Sequence, residues 1–334
     1  MSNNITIVPF SEKYSDRWDR FVMEQSCNGT FLQTRNFLNY HPKGRFTDSS
    51  LLAMRGSEIV AVLPANSVDA SGKKTFISHQ GSTFGGIVLH KSALKIRVLE
   101  ELFCCLDGYF ENSGYSSVIL KQPGKIFCKN DMDLLEYFFY NKGYTSRLEV
   151  GFYIDFDTYN DDIIANYSSS RRRDYKYSLK QEYQFSELTT PAEIAGFYMA
   201  LLDNYRKFGK TPVHTLEDLV DFYSSRLKDT TRFFGVFYDS QLVAGSMVFC
   251  FDKAVYHTQY LAVVQDMSDQ FVNEYLYTSL IKTAKEERVR YLSFGTSTFE
   301  SGRVLNTNLA QYKESFGTKQ YNNCTFVKHY GAYE

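Results

Sequence analysis

Four clusters in the 334-residue sequence hold side chains whose types and spacing could do chemistry. Near the C-terminal end, Gly295-Thr296-Ser297 is followed by Gln311-Tyr312-Lys313-Glu314-Ser315-Phe316-Gly317. A lysine beside a phenol can stabilise a developing oxyanion or protonate a leaving group. A surface turn is the plainer alternative. His257-Thr258-Gln259-Tyr260 lies in a stretch of strand character, where alternation puts His257 and Gln259 on one face and Thr258 and Tyr260 on the other. His257 titrates near neutrality and suits a general base, although a lone histidine also serves as a hydrogen-bonded core residue. In Ser168-Ser169-Ser170-Arg171-Arg172-Arg173-Asp174-Tyr175-Lys176, serines precede a basic helical run. Serines cap helices, and an N-terminus carrying three arginines suits a phosphate or carboxylate. A solvated helix face is the competing reading. Fourth, Gly81-Ser82-Thr83-Phe84-Gly85-Gly86, flanked by His79 and Gln80, lets backbone approach a ligand closely, with Ser82 and Thr83 as donors, or simply makes a turn.

The motifs that are missing narrow the field. The glycine segment matches neither GxGxxG nor GxxxxGK[ST], so nucleotide hydrolysis has no support. GxSxG, HExxH, the kinase set and the nucleic-acid modules do not occur either. Arg206, Lys207, His214 and Glu217, around the turn Gly209-Lys210-Thr211-Pro212, are compatible with a site or with a surface.

The elements that must position these residues read as alternating hairpins, helices and buried strands. Ser15 to Gln25 and Phe31 to Tyr40 have helical patterns, the second stopped by Pro42 and Gly44. Residues 50–54 and 59–63 flank the turn Arg55-Gly56-Ser57-Glu58, a hairpin signature. A strand at Thr75 to His79 leads into the glycine segment, and a helix from Ser92 to Asn112 precedes the buried-type strand Ser117 to Leu120. The second half repeats this order: a hairpin over 232–237 and 242–248, a strand at Ala254 to Ala262, a helix at Val272 to Glu287, and a strand at Arg290 to Phe294. The repetition predicts two domains of similar topology joined across the acidic stretch Asp155 to Asp162, each built of α/β layers.

Composition excludes several classes. With 43% hydrophobic and 22% charged residues the chain is an ordinary globular protein, and its length gives a prior of two domains. Thirty-seven basic residues against 38 acidic ones leave a net charge of -1, so no global field draws it to DNA or an anionic membrane. The aromatic content of 16%, with a single tryptophan, Trp18, fits an aromatic core or a ring-walled cleft. No secretory signal and no membrane-length apolar run is visible, so the expectation is a cytoplasmic protein without membrane insertion. The six cysteines form no CxxC, and no histidine sits at zinc spacing from them. They read as core hydrophobes, and no metal is expected.

Taken in order, several of these segments resemble the FemABX-like (Fem-type) branch of the GNAT acyltransferase superfamily, whose members pair two GNAT-like domains. Ser170-Arg171-Arg172 with Lys176 and Lys180 is similar to that family's serine–arginine segment. Tyr205-Arg206-Lys207-Phe208-Gly209-Lys210-Thr211-Pro212 resembles its tyrosine–glycine–proline turn. Phe234 to Val248 resembles its hairpin, with Leu242-Val243-Ala244-Gly245. Ala284 through Gly295, leading to Tyr312 to Gly317, resembles its closing signature. The likeness runs over about Asn166 to Tyr321. It implies acyl or aminoacyl transfer to an amine, with the acceptor between domains and Lys313 matching the lysine that stabilises the tetrahedral intermediate. Two features depart from the wider pattern. Gln265-Asp266-Met267-Ser268-Asp269-Gln270 stands where a glycine-containing pyrophosphate loop would be, and its two aspartates would repel a pyrophosphate. The long helical hairpin that some members use for tRNA is missing.

The resulting expectations are a tandem α/β protein, each GNAT-like domain a mixed, mostly antiparallel sheet flanked by helices, over residues 1–155 and 156–334. Its activity is N-acyl transfer to an amino sugar or a peptide-bearing cell-envelope precursor. Lys313 with backbone amides would stabilise the oxyanion, His257 or a water would act as base, and Tyr260 or Tyr312 as acid. Arg171, Arg172, Arg173, Tyr205, Gln259, Thr83, Gly85, Gly86 and Ser297 would bind substrate. The donor is an acyl-CoA or, without sequence support, an aminoacyl-tRNA. The rivals are a peptidoglycan-type aminoacyltransferase and a GNAT pair that binds a ligand without catalysis.

Overall fold

The computed structural model describes residues 4–206, 209–252, 254–264, 267 and 270–331. Along the first part of the chain run β1 (Ile5–Pro9), α1 (Ser15–Arg20), α2 (Arg35–Leu38), β2 (Thr47–Asp48), β3 (Leu51–Arg55), β4 (Glu58–Leu63), β5 (Ala65–Ala70), β6 (Lys73–Ser78), β7 (Val88–Leu89), α3 (Ile96–Asn112), β8 (Tyr115–Lys121), α4 (Asp133–Asn141) and β9 (Thr145–Asp155). Then follow α5 (Ser169–Ser178), β10 (Gln184–Glu187), α6 (Pro191–Arg206), α7 (Leu216–Asp221), β11 (Thr231–Tyr238), β12 (Gln241–Phe251), β13 (Val255–Val263), α8 (Val272–Glu286), β14 (Tyr291–Thr296), β15 (Thr298–Phe299), β16 (Val304–Leu305), α9 (Thr307–Glu314) and β17 (Lys319–His329).

The chain packs into two units. The first comprises the described residues of Met1–Glu149, Glu300–Val304 and Asn322–Glu334; the second comprises those of Val150–Phe299 and Leu305–Tyr321. Strands β9 and β17 are each divided between them, an exchange that two contiguous halves, 1–155 and 156–334, do not describe.

In the first unit, β1, β3, β4 and β7 form an antiparallel sheet. Pro64 separates β4 from β5, and a proline cannot donate to a ladder, so the strand breaks there and continues in a second sheet. That second sheet runs β17-β8-β6-β5-β2, with β6 and β8 parallel. A parallel pair needs a long crossover, which α3 supplies. Leu99, Leu102, Phe103, Leu106 and Phe110 line its inner face, at helical spacing, against Phe76, Val118, Leu120 and Phe326 of the sheet. The helix starts at Ile96, later than the expected Ser92. The Ala93 amide instead closes a turn on the His90 carbonyl, and the His90 ring bonds Ser92. The sequence reading passed over β5 (ANSVDA), whose polar composition carries little strand signal, and over α4.

The second unit repeats the order. Strands β10 to β13 are antiparallel neighbours, α8 crosses over, and β14 lies parallel to β13 and antiparallel to β9. Helix α8 buries Val272, Leu276, Leu280, Ile281 and Ala284, a 3.6-residue stripe, on this sheet. Tyr277, Phe294 and Phe316 stack beneath α9. Both units are therefore mixed, mostly antiparallel sheets flanked by helices.

Candidate active site

The parallel pairing of β13 with β14 is short. It runs Val255↔Tyr291, Tyr256↔Leu292 and His257↔Ser293, and ends there. Beyond that point β13 stays with β12 as far as Ala244↔Val263, while β14 stays with β9 as far as Thr296↔Gly151. Both strands carry an irregularity at the fork. Gln259 is the extra residue between Thr258 and Tyr260 opposite Val248 and Met247, and Phe294 is the extra residue between Ser293 and Gly295 opposite Tyr153 and Phe152. Bulges bend strands, so the two neighbours part. The bulge corrects the simple alternation expected for residues 257–260: Thr258 and Tyr260 are buried, and Gln259 is half-buried without a ladder partner.

His257 stands at the crotch of the fork, buried, with Nδ1 3.0 Å from Ser293 Oγ. Ser293 Oγ lies 3.3 Å from the Tyr321 hydroxyl and accepts from the Gly295 amide at 3.3 Å. Burial and then the charge of Lys313 push the His257 imidazole down to about 4, so it is neutral at physiological pH. Gly295 has φ +71°, and a Cβ there would sit 3.5 Å from His257 Cε1. The histidine ring therefore lies against the backbone on which Lys313 also rests.

Lys313 reaches this backbone from α9. Asn306 caps the helix by accepting from the Leu309 amide, and Ala310 and Lys313 face inward. The ammonium, only 3% of the residue being exposed, donates to the carbonyls of Gly295 (3.1 Å) and Thr296 (2.7 Å), and lies 6.0 Å from the Phe152 ring centre. Burial lowers it to about 7. A lysine poised between its two forms at neutral pH is a rare group, and it sits at the C-terminal end of a strand, where open α/β sheets collect ligands. Beside it Ser297 is buried. Its amide donates to Val150 and its carbonyl accepts from Asn306, yet its hydroxyl has no partner among the described residues.

The other residues singled out in the sequence separate. Helix periodicity turns Arg171 inward and leaves Arg172 and Arg173 exposed. Ser168 caps α5 by accepting from the Arg171 amide. The Arg171 guanidinium is held by Glu274, donates through Nε to Ser315 Oγ at 2.9 Å, and lies over the Tyr312 and Phe316 rings at 4.3 and 5.0 Å. Tyr312 is half-buried beside Glu274, and the desolvation of its hydroxyl with that carboxylate holds its phenol well above its ordinary range. Arg171 and Tyr312 thus join α5, α8 and α9 into the base under Lys313, away from the fork. Tyr260 lies past the fork with its hydroxyl 2.7 Å from His214 Nδ1, and the Tyr205 ring meets it edge-on at 6.2 Å. In the first unit, Gly85 donates to the Lys121 carbonyl. Gly86 has φ +70°, and a Cβ there would stand 2.5 Å from Gln122 Oε1. Thr83 lines a pocket of that unit. Gln265, Asp266, Ser268 and Asp269 of the glycine-free loop, and Lys207 and Phe208 of the earlier turn, lie outside the described residues. Sequence reasoning missed Ser293 and Tyr321. Ser293 had a signal, being a lone hydroxyl in a buried-type strand.

Residues 166–314, which include the fork, α8 and Lys313, match a family model described as an acetyltransferase (GNAT) domain. The crystal structure of FemX superposes with a TM-score of 0.68 at 11% identity, over 97% of each chain. The chain has the FemABX-like tandem GNAT fold and is an acyltransferase. A tandem GNAT protein from the clavulanic acid biosynthesis pathway superposes at 0.57 with 11% identity, over 99% of this chain and 100% of that one. The C-terminal domain (DUF2156) of a proposed lysylphosphatidylglycerol synthetase from Agrobacterium fabrum does so at 0.62 with 9% identity, over 95% and 92%. No curated protein sequence matches the chain. Among the described residues no helix is long and apolar enough to cross a membrane.

Proposed function

We propose that this acyltransferase moves an acyl group from an activated ester or thioester to the amino group of a cytoplasmic cell-envelope precursor, an amino sugar or a peptide-bearing intermediate. One observation carries the reading: a buried lysine and a neutral histidine meet on the backbone of Gly295, where two parallel strands separate. The acceptor nitrogen attacks the acyl carbonyl, a C–N bond forms, and the carbonyl oxygen takes the negative charge. Lys313, as the ammonium, stabilises that oxyanion. A water takes the proton the nitrogen loses, and the neutral His257 orients that water as a hydrogen-bond acceptor. Collapse breaks the acyl–sulfur or acyl–oxygen bond, and Tyr260, hydrogen-bonded to His214, returns a proton to the leaving group. Arg171 and Tyr312 hold α9 in position and do not react.

The donor follows from two opposing features. Helix α8 begins without a side-chain cap, so its first amides suit an anionic group. The preceding loop offers no glycine and two aspartates, which disfavours a pyrophosphate. Aminoacyl transfer from charged tRNA is the second reading, favoured by the likeness to FemX and to the proposed lysylphosphatidylglycerol synthetase. The test is transfer of an isotopically labelled acyl group from acyl-CoAs, and of a labelled amino acid from charged tRNA, to a panel of amino sugars and muropeptides. A labelled amide with either donor supports acyl transfer and identifies the donor. Saturable binding of an acceptor with no product from any donor would leave the chain a binding protein.

A further inference from the structure

The fold uses only part of the basic run that opens α5. Arg171 pairs with the buried Glu274 and Arg173 with Asp174, which neutralises both. Arg172, Lys176 and Lys180 recur at every fourth residue and form one stripe along the outer face of the helix. All three are exposed, and none has an ion-pair partner among the described residues. Lys180 sits in the turn that closes the helix, its amide donating to the Tyr177 carbonyl and its ammonium 4.8 Å from the Tyr177 ring centre. Lys282 of α8, also exposed, donates to the Tyr175 hydroxyl at 3.1 Å and adds a further cation beside the stripe. The helix's own acid, Asp174, is turned to the flank, and Glu182 comes only after the closing turn. In a chain of net charge -1, this face is a local concentration of positive charge.

Apolar groups border the cations. Leu179 is 54% exposed and Tyr177 43%. At about 100° per residue they fall on opposite borders of the stripe, which spans an arc of roughly 160°. The Tyr177 ring is held there by stacking on Phe271 at 5.5 Å. Cations with an exposed leucine and tyrosine at their borders are the composition of a helix face that lies on a lipid headgroup layer. The cations meet lipid phosphates, the leucine reaches the acyl boundary, and the phenol sits between the two. A nucleic-acid backbone would meet the same cations, but it gives Leu179 nothing to bury against.

We propose that the outer face of α5 docks on an anionic phospholipid surface, with Arg172, Lys176 and Lys180 on the headgroup phosphates and Leu179 at the acyl boundary. The contact is peripheral and reversible, since a few charges and one leucine fall far short of a membrane span. It stands independently of the acyl donor and acceptor, because its evidence lies on a helix face that the proposed chemistry does not use.

The test is co-sedimentation of the full chain with vesicles of phosphatidylglycerol and phosphatidylcholine in equal parts, and with vesicles of phosphatidylcholine alone. Binding to the anionic vesicles is expected, absent on phosphatidylcholine and weakening as salt rises. Lys176→Gln with Lys180→Gln should weaken it by about 25-fold, at about fivefold per charge. Leu179→Ser should weaken it by about tenfold without changing any charge. Arg97→Gln, an exposed arginine on α3, should leave it unchanged. Circular dichroism confirms the fold of each variant, all of them at exposed positions. A duplex RNA supplies the competing polyanion. RNA binding that the double lysine variant removes, without binding to anionic vesicles, would overturn the proposal and give the face to a nucleic acid. No sedimentation with anionic vesicles at low salt, vesicle binding indifferent to Leu179→Ser, or equal affinity in Arg97→Gln and the double lysine variant would overturn it as well.

Discussion

Lys313→Met removes the titratable group while keeping most of the side-chain volume, and it isolates what burying that lysine does to the fold. Lys313 falls from 10.5 in the open chain to about 7 in the folded protein. Between those values the unfolded chain binds more protons than the folded one, so wild-type stability rises with pH through this window. Below about pH 7 the full penalty of charging a buried amine is present. At about 1.4 kcal/mol per unit the penalty has a ceiling of roughly 5 kcal/mol, and about 3 kcal/mol of it is relieved between pH 7 and pH 10. The methionine variant lacks this dependence but leaves the carbonyls of Gly295 and Thr296 without their donor, at roughly 1–3 kcal/mol each, independent of pH. The slope is therefore the diagnostic quantity, not the sign at one pH. Urea unfolding of both proteins, followed by circular dichroism at several pH values, gives the difference directly. Wild type should gain about 3 kcal/mol on the variant from pH 7 to pH 10. His257 titrates below this range and does not interfere. A difference that stays flat with pH would show that Lys313 has an ordinary affinity for its proton and would refute the reasoning.

Two further outcomes follow from the packing. Arg171→Met leaves Glu274 buried without its cation and should cost about 3–5 kcal/mol by urea unfolding, whereas Arg171→Met with Glu274→Met should recover most of that loss, since breaking a buried pair is worse than replacing it. Gly86→Ala should destabilise by more than about 1 kcal/mol in a thermal melt, because a Cβ at φ +70° meets the Gln122 amide.

The sequence made part of the second unit's scaffold legible, where an element has a local signature, and passed over β10, α6, α7 and α9. The β11–β12 hairpin and the α8 stripe could be read from period and turn residues, whereas the segment with Lys313 stood out only by residue type and family resemblance, and its helix α9 was not read. What could not be read was set by distant partners. Arg171 looked like one of three ligand-binding arginines, but the inward turn of the helix brings it to Glu274, 103 residues away. Tyr312 looked like an acid beside Lys313, and one residue of helical rotation carries it to the opposite cluster. Gln259 was assigned a face by alternation, which fails at a bulge defined by Met247 and Val248 of the neighbouring strand. Tyr321, on the last strand, joins Ser293 and His257 only through the sheet.

The most direct test of the central claim compares the pH dependence of kcat/KM in wild type and Lys313→Arg on the same donor and acceptor. If the Lys313 cation stabilises the oxyanion, wild-type kcat/KM relative to the variant falls above about pH 7, because arginine keeps its charge there. Taking the ratio cancels the acceptor amine's own titration. A ratio that is constant from pH 6 to pH 9, or that rises across that range, would contradict a catalytic cation at Lys313.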